Sequence, residues 1–142
     1  MVDPDRLARW YGRVEGQLQL GGTFHLRLDP ADLDATGTVE ACEPPHRVRV
    51  RTRETVESWQ RGRGPAPFDQ TVEATLTTEG DLTRLVIEVR GLPLDRVASY
   101  GAGWQIHMEN LAAYLGGREP VDVGARWPAL LADYRQRAAD LR

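Results

Sequence analysis

Three histidines and one cysteine are the groups here that titrate or attack near neutral pH. His25 lies in an alternating apolar/polar segment, His46 follows the Pro44-Pro45 pair, and His107 falls in a segment of helical period. No two of them stand at a metal-ligand spacing, and no metal site is expected. Cys42 has no second cysteine to pair with and reads as a small buried hydrophobe on a strand. GxSxG, HExxH, CxxC, P-loop and dinucleotide fingerprints are absent from the sequence, so no catalytic motif and no cofactor is expected. His107 is the one histidine with a functional reading. Beside the apolar face of a helix, its imidazole could look into a cavity and act as acid or base. The plainer reading is a boundary histidine with a backbone or water partner.

The cations are all arginine: 18 basic residues and no lysine, with a net charge of −3. A negative domain argues against nucleic-acid binding. Arg47, Arg49, Arg51 and Arg53 share one side of an alternating run, which could bind an anion. Thr71, Glu73 and Thr75 stand ready as cross-strand neighbours, so a solvated sheet face is the favoured reading. Trp59, Arg61 and Arg63 lie in or beside a Gly/Pro-rich stretch, residues 59 to 68, expected to form a long hairpin loop. An aromatic there would gate a cavity or simply anchor the loop.

The elements that must position these residues follow from periodicity. At 142 residues the chain is one domain, with 41% hydrophobic and 27% charged residues. Asp3 and Pro4 signal a helix start, with Leu7, Trp10 and Tyr11 on one face. Period two then predicts strands over Gln17–Gly22, Thr23–Leu28, Thr38–Cys42, Arg47–Arg53, Thr71–Leu76 and Thr83–Arg90, with Pro30–Ala35 as turn. After Gly91-Leu92-Pro93 the period returns to 3.6. Asp95 is the expected cap of a helix whose apolar face carries Val97, Trp104, Met108, Leu111 and Leu115, ending at Gly116-Gly117. A short helix is predicted from about Pro128, with Trp127, Leu130, Leu131 and Tyr134 on one face. The sheet must be covered on its apolar side, and only the helix near 96–115 is long enough. The expected class is α+β, a curved antiparallel β-sheet wrapped around a long C-terminal helix. No apolar run approaches the ~18 residues of a membrane span.

Several segments resemble one family in order and spacing. Asp3-Pro4-Asp5-Arg6-Leu7-Ala8-Arg9-Trp10-Tyr11 resembles a "DP" helix segment of START-like (SRPBCC) proteins. The nearer resemblance is to the branch related to the activator of the 90-kDa heat-shock protein ATPase. Gly21-Gly22-Thr23-Phe24, Gly37-Thr38-Val39, Pro44-Pro45, Thr83-Arg84-Leu85 and Gly103-Trp104 continue it, and Trp127 to Tyr134 resembles a tail found in some members. The resemblance implies the helix-grip fold, with residues 1–117 as the START-like domain and 118–142 as a helical extension packed on it. It also implies that the family's first strand and helix are missing ahead of Asp3. That strand normally lies beside the last one. Its place would be taken by residues 13 to 20, by a partner subunit, or by residues upstream of this sequence.

START-like folds often enclose an apolar cavity. The residues expected to line it are Trp10, Phe24, Leu26, Val50, Leu76, Ile87, Trp104, His107, Met108 and Leu111, with plain core as the favoured reading for most of them. The expected function is non-enzymatic binding of a small apolar molecule, with a stress-response or regulatory adaptor role attached. The alternatives are a cyclase or hydratase using His107 with a carboxylate, and a protein-interaction module whose cavity its own side chains fill. A bacterial, cytoplasmic protein is expected, with no nucleic-acid or membrane partner; a protein partner and a homodimer stay open.

Overall fold

The computed structural model describes residues 3–55 and 67–141. Helix α1 (Pro4–Trp10) leads into six strands: β1 (Arg13–Gly16), β2 (Thr23–Leu28), β3 (Leu33–Glu43), β4 (Arg47–Glu54), β5 (Asp69–Glu79) and β6 (Leu82–Arg90). Helices α2 (Val97–Leu115) and α3 (Val123–Ala139) follow. Each strand pairs antiparallel with the next, so the sheet order repeats the chain order. The fold is the expected α+β helix grip.

Alternation decides which face is buried. Val14, Phe24, Leu26, Ala35 and Val39 form the sheet's buried cluster, with Leu7, Tyr11, Val48 and Val50 packed against it. Gly37 lies under the Phe24 ring, where any Cβ would overlap it, so glycine is required there. On the other face the arginine row is neutralised. Arg47 bonds Glu73 at 2.8 Å, Arg51 reaches Glu40 at 3.3 Å and Arg53 reaches Asp69 at 3.2 Å. The row is a solvated, charge-paired sheet face.

The helix ends show where short-range signals suffice. Asp3 caps α1, its carboxylate accepting the N–H groups of Asp5 and Arg6 at 3.0 and 3.3 Å. Asp95 does not cap α2: it lies in a 3-10 turn, Leu94–Arg96, that feeds the helix. α3 starts at Val123 rather than near Pro128, because Asp122 is the cap, accepting the Ala125 N–H at 3.3 Å. Pro128 therefore sits inside the helix and forfeits one backbone bond.

Other expectations change in register. The strand expected over Gln17–Gly22 is a connection, and its neighbour β1 lies earlier. Gly21 N–H donates to the Val39 carbonyl and Val39 N–H to the Gly22 carbonyl, pulling that connection onto β3 instead. β3 begins at Leu33, inside the expected turn, once a 3-10 turn at Asp29–Ala31 and Asp32 at φ 49° reverse the chain. Residues 13 to 20 do not close the sheet beside β6. β1 pairs with β2 at the opposite edge, because a short connection puts it next to its neighbour in sequence. Trp59, Arg61, Arg63 and most of the 59–68 loop lie outside the described residues.

α2 has two working sides. Ala98, Gly101, Ala102 and Ile106 face α3, where Ala102, Ile106 and Leu130 are buried with Trp127 and Tyr134 beside them. Gly101 is needed because the Tyr134 ring lies against its Cα. Polar clasps flank this seam: Tyr134 hydroxyl donates to Gln105 at 2.9 Å, and Arg126 forks onto Glu109 at 2.8 and 3.0 Å. Leu115, expected on the apolar face, is 75% exposed at the helix end, past the last residue that the sheet and α3 can cover.

Candidate functional site

The second side of α2 carries Tyr100, Trp104 and His107, and meets the sheet and α1. Tyr11, just past α1, is the hub. Its ring stacks on Trp104 at 5.3 Å, meets His107 edge-on at 4.8 Å, and tilts against Trp10 at 5.7 Å. Trp104 and His107 also meet edge to face at 5.4 Å. Burial pushes the Tyr11 hydroxyl well above the usual phenol range. Burial likewise lowers the His107 imidazole to about 4, opposed by the hydrogen bond to the Trp10 backbone carbonyl. His107 is thus neutral at pH 7, with a ring N–H already committed. Among the described residues, no carboxylate pairs with it.

A polar patch lies beside this aromatic cluster, on the concave face of the sheet. Register places Thr52 opposite Gly37 and Gln70, and Glu54 opposite buried Ala35, so these side chains share the inner face. Thr52 is 3% exposed. The Tyr100 hydroxyl donates to Glu54 Oε1 at 3.4 Å, and its ring meets Phe68 at 5.7 Å. Burial, then the nearby Glu54 charge, drives the Tyr100 hydroxyl above the usual range. Gln70 Oε1 is buried and has no hydrogen-bond partner among the described residues. The site thus offers acceptors, Glu54 and Gln70, at one end of an apolar surface.

That surface continues along β4 to β6. Val48, Val50, Leu76, Leu85, Ile87 and Val89 share the inner face, and each is half-buried. Trp104, Met108 and Leu111 on α2 are half-buried as well. The ten residues named from sequence therefore divide. Phe24 and Leu26 are buried core, at 8% and 4% exposure. Trp10, Trp104 and His107 are gathered around Tyr11. Val50, Leu76 and Ile87 line the half-open part of the sheet; Met108 and Leu111 are half-buried on α2. Tyr11, Glu54 and Gln70 join the site only in the folded structure. Glu54 shares the parity of Val48, Val50 and Thr52, which was the available signal.

Two hollows lie elsewhere. A trough of about 560 Å³ crosses the outer face among Glu15, His25, Thr36, Arg51, Arg53 and Asp69. A groove of about 360 Å³ runs between α2 and α3 along Leu94, Ala98, Leu131 and Ala138. Among the described residues no group of three or more His, Cys, Asp or Glu is gathered as a metal centre would need, and no helix is long and apolar enough to cross a membrane.

Comparison with known proteins places this geometry. A family model described as "Activator of Hsp90 ATPase homolog 1-like protein" matches residues 1–116. No curated protein matches the chain. Among solved structures, the crystal structure of CalU16 from Micromonospora echinospora is 25% identical, with a TM-score of 0.73 over 98% of this chain and 74% of that one. DynU16, a protein of the dynemicin biosynthetic locus, is 28% identical, with a TM-score of 0.67 over 83% of this chain and 41% of its own. MLL2253 from Mesorhizobium loti shares the fold at 23% identity and a TM-score of 0.66, over 80% of this chain and 82% of that one.

Proposed function

The chain belongs to the Activator of Hsp90 ATPase homolog 1-like family, within the START-like superfamily, and on that premise we propose that it binds a small, mostly apolar molecule on the concave face of its sheet. The observation that carries this reading is the half-open apolar surface. Leu76, Leu85, Ile87 and Val89 belong to neither buried cluster, and Trp104, Met108 and Leu111 are not closed over either. Apolar area left facing water is stabilised by whatever covers it, at roughly 25 cal/mol per Å². A flat or elongated apolar body would lie along β4 to β6, under α2. Its polar end, a hydroxyl or amine donor, would meet Glu54 beside Tyr100. The membership supports a ligand-binding fold, and likeness to DynU16 is consistent with a ligand from secondary metabolism.

Two other readings fare less well. An interaction module with a self-filled interior would bury these same side chains fully, and they are only partly buried. A cyclase or hydratase built on His107 needs an imidazole that can take a proton near neutrality. The His107 ring is held neutral, its N–H given to Trp10, so we assign it a positioning role for Tyr11 and Trp104.

Native mass spectrometry of the protein purified from its own host tests the proposal. The expected result is a retained small molecule whose addition back raises the melting temperature; at 100 times its Kd, mass action adds about 2.7 kcal/mol. Glu54→Gln should weaken that binding while leaving the fold intact. Absence of any retained species, together with no shift across a panel of lipids and aromatic polyols, would overturn it.

A further inference from the structure

β6 (Leu82–Arg90) ends the sheet, and no described residue pairs with its far side. It carries neither proline nor bulge, and its register with β5 runs unbroken from Thr71–Arg90 to Glu79–Leu82. Five of its nine residues are apolar, so its edge lacks most of the devices that discourage pairing. Thr83, Leu85, Ile87 and Val89 face the concave side. Leu82, Arg84, Val86, Glu88 and Arg90 face outward, with Leu82 at 73% and Val86 at 44% exposure.

We propose that β6 pairs antiparallel with β6 of a second copy of this chain, about a two-fold axis at Val86, joining the two sheets edge to edge. The strand's own sequence selects that occupant. Val86 is the midpoint of Leu82–Arg90, so full overlap sets Val86 against the partner's Val86. The same register sets Arg84 against the partner's Glu88, and Glu88 against the partner's Arg84. On the concave side it sets Leu85 against the partner's Ile87 and Thr83 against the partner's Val89. Opposite charges directly across a pair stabilise it and like charges oppose it. Recentring on Ile87 would face Arg84 with the partner's Arg90. Recentring on Leu85 would leave Glu88 against the partner's Leu82. A slip that pairs inner with outer residues would turn the apolar side chains to water. Full overlap and charge matching thus coincide in one register.

The present contacts do not compete strongly. Arg84 reaches Glu79 at 3.2 Å and Arg90 reaches Glu88 at 2.8 Å, all on exposed side chains, where such pairs contribute little. The pairing would also satisfy the row of backbone N–H and C=O groups that no described residue engages, and prolong the apolar concave face across the junction. The C2 arrangement closes on itself and leaves β1 as the outer edge of each copy.

Analytical ultracentrifugation of the full chain at tens of micromolar tests this, with melting curves as the check on folding. The expected species has twice the 15.9 kDa chain mass. Arg84→Glu and Glu88→Arg should each raise the dissociation constant at least tenfold, and the double exchange Arg84→Glu with Glu88→Arg should restore it. Val86→Lys should also give monomer, since two like charges would meet on the axis. A monomeric native chain would overturn the proposal. So would a dimer indifferent to all four variants, or a monomer whose β6 amides resist hydrogen exchange because something else covers them.

Discussion

Acidification should destabilise this protein through one imidazole, that of His107. His107 lies against Tyr11 and Trp104, and burial lowers it from 6.5 to about 4. The unfolded chain takes up a proton on this residue as pH falls through 6.5, whereas the folded chain does not until about 4. The stabilisation is therefore complete above pH 6.5 and is lost between 6.5 and 4. At one proton, the slope is 1.36 kcal/mol per pH unit, so moving from pH 7 to pH 5 should cost about 2 kcal/mol. For a chain of this size that corresponds to a Tm drop of roughly 5–10 °C. The two carboxylates that arginines hold low stay outside this window. Asp29, lowered first by the Arg13 hydrogen bond, and Glu109, lowered first by the Arg126 hydrogen bond, lose their contributions only at lower pH. Urea melts at half-unit steps from pH 7.5 to 5 would measure the slope, alongside His107→Gln, whose amide still donates to the Trp10 carbonyl. Native protein should show close to one proton's slope and the variant markedly less. Equal slopes in the two proteins would refute the argument.

The remaining predictions concern packing. Trp104→Ala removes the ring stacked on Tyr11 and should cost about 3 kcal/mol, the low end for a large aromatic because the ring is half-buried; chemical denaturation would show it. Gly101→Ala drives a methyl into the Tyr134 ring and should cost about 1–3 kcal/mol, with increased exchange of the α3 amides as its signature. Arg126→Ala opens the fork onto Glu109, but at 40% and 27% side-chain exposure the loss should stay under about 1 kcal/mol in the same denaturation assay.

Much of the fold was legible because it rests on local rules. The arginine run fixed the facing of β4, Asp3-Pro4 marked the start of α1, and Gly116-Gly117 the end of α2. What was misplaced depended on longer-range competition. β1 and the connection after it exchanged roles because the Gly21 and Gly22 backbone bonds β3, a contact no window of neighbouring residues contains. Pro128 concealed the start of α3, since a proline ordinarily marks the first turn of a helix and here lies deeper. The site was half legible. Trp104 and His107 stood out by helical spacing, and Val50, Leu76 and Ile87 by parity. Tyr11 appeared only as part of the stripe on α1, because nothing local says that its ring will stack on a helix some ninety residues further along the chain. Glu54 and Gln70 fall just outside the strands expected over Arg47–Arg53 and Thr71–Leu76, and their inward facing depends on pairing with Ala35 and Thr52.

The most direct test of ligand binding on the concave face is chemical-shift mapping by NMR. The methyl groups of Val50, Leu76, Leu85, Ile87, Met108 and Leu111 and the Trp104 indole would be followed during titration with the molecule retained from the host or, failing that, a naphthol. The shifted resonances should cluster on these residues and on Tyr100, and the cluster should disperse in Glu54→Gln. Shifts confined to Leu94, Ala98, Leu131 and Ala138, in the groove between α2 and α3, would contradict binding on the concave face.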